Sequence, residues 1–211
     1  MPLVKVDGAD ASVAWTAYLR NRSKFGTDSL HHYAQGLSHP DRVYLILPAG
    51  GITSMMACSA KVWGSEASGV LAVGPPIRHK HRNILLLHVR THMHGAGQGS
   101  QLLTAAQQDV VAEKLATLST SAPACRTWYA TLLLLRHGFT GDQNLLTAVI
   151  QLPTVTVPHD AVAITFTWEP THDTEEQIRY VEQVRDAQRT RKQDDFADAL
   201  TEVVRYLSRD R

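Results

Sequence analysis

The chain has 211 residues, 44% of them hydrophobic, and a formal net charge of +1: enough apolar material for one good core, and too little charge for a general attraction to nucleic acid or membranes. No apolar run has the length of a membrane-spanning helix, and Met1-Pro2-Leu3 leads into Lys5, Asp7 and Asp10 rather than into a secretory signal. Two cysteines, Cys58 and Cys125, make neither a disulfide framework nor a thiolate metal site, so a soluble cytoplasmic protein is expected.

Taken in chain order, residues 11–22 carry Val13, Trp15, Tyr18 and Leu19 at helical spacing, and 29–35 reads as a second short helix before Pro40. Val, Tyr and Ile content marks 42–47 as a strand, 48–51 as a turn and 52–63 as a second strand. A turn over 64–69 precedes a short strand at 70–73. Ile84 to Leu87 is a bare apolar run, which predicts a central strand over 83–90 buried on both faces. Then come a helix over 100–114, a strand at 115–120, a helix at 124–137, and strands near 145–151 and 162–168. The sum is a helix pair, an antiparallel meander and an alternating α/β half.

The junction after the central strand is the most informative segment. Gly95, Gly97 and Gly99 follow a hydrophobic strand, and Leu102, Leu103, Ala106, Val110 and Leu115 then repeat at the spacing of an amphipathic helix. Glycines let a ligand approach the backbone closely, and the free amides and positive dipole end of the helix converge on the same spot. An anionic diphosphate suits such a place. The phosphate-binding loop of ATPases is excluded, because Gly99 is followed by Ser100 and Gln101 with no lysine. The dinucleotide fingerprint is excluded by glycines spaced by two and by the lack of an acidic residue ending a second strand.

His94-Gly95-Ala96-Gly97-Gln98-Gly99 resembles motif A of the GCN5-related N-acetyltransferase (GNAT) superfamily, written Q/R-x-x-G-x-G/A. Val89, eight residues before Gly97, and the helix start Ser100, Leu102, Leu103 match the register on either side. Further on, Arg136-His137-Gly138-Phe139 is similar to the end of the family's FYxxxGF signature. The resemblance runs from Asn83 to Phe139. It departs at His94, which replaces the usual glutamine or arginine, at Thr91, which replaces a common proline, and at Leu134, where the signature tyrosine would fall.

The resemblance implies an α/β (α+β) fold with a mixed, mainly antiparallel central sheet flanked by helices over residues 1–169. It also implies acetyl transfer from acetyl-CoA, or another acyl-CoA, to a small-molecule or peptide amine by direct attack in a ternary complex. Val89, His94, Gly95, Ala96, Gly97, Gln98, Gly99 and Ser100 are then the cofactor-binding set, with the Val89 amide polarising the thioester carbonyl as an oxyanion donor. In many relatives the signature tyrosine protonates the departing thiolate, and Leu134 cannot. Tyr129 is roughly 140° away around a helix and does not replace it. Many relatives place a glutamate on the central strand; here the only group titrating near neutrality is His88, a candidate base acting directly or through water, unless it packs against a helix on the other face. Ser119 and Ser121, expected just after the next strand, are further candidates for orienting the acceptor or a water.

Two His-x-His pairs, His79/His81 and His92/His94, have a metal-ligand spacing, but the first sits among Arg78, Lys80 and Arg82 and the second in the glycine loop; no metal is expected. The basic run Arg78 to Arg82 keeps open an acyltransferase acting on nucleic acid, such as charged tRNA or a modified DNA base, or a contact to the 3′-phosphate of coenzyme A. The missing tyrosine keeps open a non-catalytic acyl-CoA sensor. Residues 170–211 read as a charged amphipathic helical extension capped at Asp173 or Thr174. Its stripe of Phe196, Leu200, Val203, Val204 and Leu207 either docks on its own domain or makes a homodimer or partner contact.

Overall fold

The structure, a computed structural model, describes residues 2–23, 40–48, 59–78, 80–89, 95–124, 128–150 and 161–209. The chain divides into two compact units, Met1–Leu115 and Ala116–Arg211.

The first unit is a four-stranded antiparallel sheet of β1 (Leu3–Asp7), β2 (Arg42–Ile46), β3 (Gly69–Val73) and β4 (His81–Val89), in that order. Its registers pair Val6 with Val43, Val43 with Ala72 and Val70 with His88. Side chains alternate across a strand, so each face takes every second residue. Val43, Leu45, Val70 and Ala72 face one way and form a core with Ala11, Ala14, Trp15 and Tyr18 of α1 (Gly8–Ser23) and Ala60 of α2 (Ala60–Glu66). The two helices cross in backbone contact: a Cβ on Gly64 would lie 2.0 Å from the carbonyl oxygen of Ala14.

On the other face α3 (Gln98–Ala112) lays Leu102, Leu103, Ala106 and Val110 against β2, β3 and β4. An ion network ties its C-terminal end to the strands. Arg42 reaches Asp109 at 2.8 Å, Glu113 at 2.5 Å and Asp7; Arg82 reaches Asp41 at 3.2 Å and Glu113 at 3.1 Å; Lys5 reaches Asp109 at 3.2 Å. Tyr44 donates its hydroxyl to Asp109 at 2.8 Å; burial, then the Asp109 carboxylate, pushes its phenol well above the ordinary range. With its tail fixed to β1, β2 and β4, α3 holds its N-terminus in a set place in this unit.

The second unit pairs β5 (Thr117–Pro123) and β6 (Thr140–Gly141) antiparallel to β7 (Ala163–Trp168), which lies between them. Its helices are α4 (Trp128–Arg136), α5 (Gln143–Thr147), α6 (Thr174–Thr190) and α7 (Asp194–Arg209). Two buried glutamines and the half-buried Tyr180 fix the helices. Gln177 donates to the carbonyls of Leu135 (2.8 Å) and Phe139 (2.9 Å), Gln188 donates to that of Leu145 (2.9 Å), and the Tyr180 hydroxyl both accepts from and donates to the Gly141 backbone. Burial pushes the Tyr180 phenol up to about 12. The stripe of α7 is covered within this unit: Phe196, Leu200 and Val203 are fully buried, α7 packs on α4 and α6, and Trp128 rests on Phe196 with ring centroids 4.8 Å apart. Docking on its own unit is thus the observed use of that stripe.

Several expectations are corrected. Residues 60–63, read as strand, lie in helix α2, whose first turn closes on Ser59 and whose Gly64 permits the contact with α1. Residues 145–147 are helical because Asp142 caps α5, accepting from the Asn144 amide at 2.9 Å, and a strand there is absent among the described residues. The run Ile84 to Leu87 is not enclosed on both faces: Ile84 is buried, but Leu85 to Val89 are only half-buried, with Leu85 and Leu86 packed against the edge of the α1 core. β1 was not anticipated. The helix expected over 29–35 lies outside the described residues.

Candidate active site

β4 ends at Val89 and α3 begins at Gln98, with Gly95, Ala96 and Gly97 exposed just before it. Gly95 has φ +82° and Gly97, the N-cap of α3, has φ +74°, a region L-residues with a Cβ seldom visit. A Cβ at either would meet nothing within 4 Å, so conformation rather than crowding calls for glycine. No side chain caps this helix end. The opening turn therefore offers amide donors and the positive helix pole to an open space, a fit for a diphosphate.

Within the cradle the side chains differ in use. Gln98 is turned into the fold, where Ser68 donates to its Oε1 at 3.1 Å, and a Cβ on Gly69 would come within 3.1 Å of that same oxygen. Its contribution to a ligand is left to its backbone amide. Gly99 and Ser100 lie half-buried in the first turn, and Val89 shares the α3 face with Gly69. His94, with Thr91, His79 and His92, lies outside the described residues. Among the described residues no group of three or more His, Cys, Asp or Glu is placed to hold a metal ion.

His88 stands on the opposite face of β4. Its register partner Val70 belongs to the α1 core, and its Nδ1 lies 2.6 Å from the hydroxyl of Tyr18, whose ring meets it edge-on at 6.0 Å and 67°. Of the two alternatives for His88, the ring takes the face packed against a helix, α1, and it remains half-buried rather than sealed. Tyr18 is buried at 1% exposure and also supplies this polar contact. Across α1 from Tyr18, an open groove of about 670 Å³ lies between α1 and α2, lined by Ser12, Val13, Thr16, Ala17, Arg20, Lys61 and Ser65. It lies on the face of α1 away from His88.

In the second unit, Ser119 and Ser121 are inside β5, not after it. They pair with Thr167 and Thr165 on the polar face of the β5–β7 ladder, opposite buried Ile164 and Phe166. Leu134 is buried in α4, and Tyr129 is 66% exposed on the same helix, so neither stands in for a tyrosine acid at position 134. Gly138, with φ +79°, ends α4 and delivers Phe139 to the core ahead of β6, as the RHGF match implies. Burial, then the neighbouring Arg136, lowers the His137 pKa. The basic run is broken up: Arg82 is buried on Asp41 and Glu113, which leaves it out of any surface for nucleic acid.

No family model matches the sequence, and no curated protein matches it. Solved structures do. A protein assigned to the GNAT acetyltransferases from Desulfovibrio desulfuricans aligns with a TM-score of 0.51 at 13% identity, over 80% of this chain and 98% of its own. A protein assigned as an acyl-CoA N-acyltransferase from Klebsiella pneumoniae subsp. pneumoniae aligns at 0.50 and 13% identity, over 79% and 97%. The chain therefore has the GNAT fold, a mixed, mainly antiparallel α/β architecture flanked by helices. No helix among the described residues is long and apolar enough to cross a membrane.

Proposed function

We propose that the chain is an acyl-CoA-dependent N-acyltransferase, most simply an acetyl-CoA:amine N-acetyltransferase. The observation that carries the reading is the pair of left-handed, unobstructed glycines at the uncapped head of α3, joined to a fold shared with a protein assigned as an acyl-CoA N-acyltransferase. When bound, acetyl-CoA supplies the activated acyl group as a thioester. The amides of residues 95–100 hold its diphosphate. The Val89 amide donates to the thioester carbonyl as negative charge grows on it, a role worth about 3 kcal/mol for one such donor. His88 handles a proton at the reacting centre, and Ser119 and Ser121 orient the acceptor or a water. The acceptor is a small-molecule or peptide amine.

Calorimetry and thermal melting with acetyl-CoA test the first half: a ligand at a hundred times its dissociation constant stabilises by roughly 2.7 kcal/mol. Release of free thiol over a panel of amines tests the second. No binding of any acyl-CoA overturns the reading. Binding without turnover on any amine makes the chain an acyl-CoA sensor instead.

A further inference from the structure

We propose that Tyr18 is a positioning residue for His88, holding the neutral imidazole in the tautomer that carries its proton on Nε2. The inference rests on the acyltransferase reading for its purpose, but not for its geometry. The two side chains lie on elements 70 residues apart in sequence and meet at 2.6 Å between the phenol oxygen and Nδ1. Which of the two donates is set by the tautomer, and acidity favours the hydroxyl: a phenol near pKa 10 is a strong donor, and a neutral imidazole nitrogen, whose conjugate acid lies near 6.5, is a good acceptor. The hydroxyl thus gives its hydrogen to Nδ1, and the ring proton sits on Nε2.

The arrangement is rigid. Tyr18 is buried at 1% exposure beside Trp15 in the core under α1, and its edge-on contact fixes the plane of the His88 ring as well as its tautomer. Phenylalanine would fill the same space without asking for a partner, so the buried hydroxyl has a cost that only a hydrogen bond offsets. A ring held this way presents an N–H at Nε2, not a lone pair. It suits an oxygen or sulfur that gains negative charge, to which it donates a hydrogen bond.

The test is long-range ¹H–¹⁵N spectroscopy of the full chain labelled at histidine, with the His88 signals identified by their loss in His88→Gln. Native protein is expected to show the Nε2–H tautomer at His88. In Tyr18→Phe the two nitrogens should move toward a mixture, and kcat should fall about tenfold while KM for acetyl-CoA stays unchanged, the scale of one lost hydrogen bond. A native Nδ1–H tautomer overturns the proposal without any variant having to fold. So does a Tyr18→Phe protein with native tautomer and native kcat. If the native chain transfers no acyl group to any amine, the acyltransferase reading fails on its own, and the spectra still decide the tautomer.

Discussion

Replacing Gly97 by aspartate separates the stability of the glycine loop from its use. Gly97 sits at φ +74° with open space around a built Cβ, so the cost of any side chain is backbone strain alone. For an L-residue that strain is roughly 1–2 kcal/mol, less for Asp and Asn, which visit the left-handed region more readily. A carboxylate at the N-terminus of α3 returns about 0.3–1 kcal/mol through the helix dipole. The apo protein should then lose at most about 1–2 kcal/mol, near 2–4 °C in Tm per kcal/mol for a chain of this size. Against a bound diphosphate the same carboxylate is repelled by about 4 kcal/mol at 4 Å and an effective dielectric of 20, close to a thousandfold in affinity. Acetyl-CoA at a hundred times the native dissociation constant should raise the native Tm and leave that of Gly97→Asp unmoved. Gly97→Asn has similar backbone tolerance and no charge, so it should keep most of the shift. Equal acetyl-CoA shifts in Gly97→Asp and the native chain would refute the assignment of this loop to the diphosphate.

Three other outcomes follow from the same structure. His88→Ala should lower kcat about 10²- to 10⁴-fold with little change in acetyl-CoA affinity, the usual range for acid–base side chains; near-native kcat would make His88 a packing residue only. Deleting residues 193–211 uncovers the partners of Phe196, Leu200, Val203 and Leu207; at about 1.5–3 kcal/mol per buried side chain the loss rivals the whole stability of a domain, and circular dichroism should show an unfolded or aggregating product. His137 is held neutral in the native state by burial and Arg136, while the unfolded chain binds that proton near pH 6.5. Its contribution is full above that pH and is lost as pH falls below it, so His137→Gln should flatten the acid side of a plot of Tm against pH. Identical acid slopes in both proteins would count against the burial of this group.

What the sequence made legible, and what it did not, follows from the range of the forces involved. The core stripe of α3 and the stop at Gly138 rest on local periodicity and a single φ, and both stand in the structure as read. β1, although not anticipated, was written in the alternation of Val4 and Val6 with Lys5 and Asp7, a period of two that gives this strand its buried Val6. Helix α2 was not: Ala60 to Trp63 has strand-like content, and what makes it helical is a backbone contact between Gly64 and Ala14, far away in sequence. The same limit governs the site. A glycine run before a helix announces an anion cradle from its own residues, whereas the tautomer of His88 depends on a hydroxyl that enters from α1. Tyr18 belongs to the helical spacing of α1 and to the core; that its one polar atom meets β4 is a fact of register, set by the pairing of Val70 with His88 and by which face α1 covers. The half of the candidate site that rests on such distant partners is therefore the less readable half, because no local pattern brings them together.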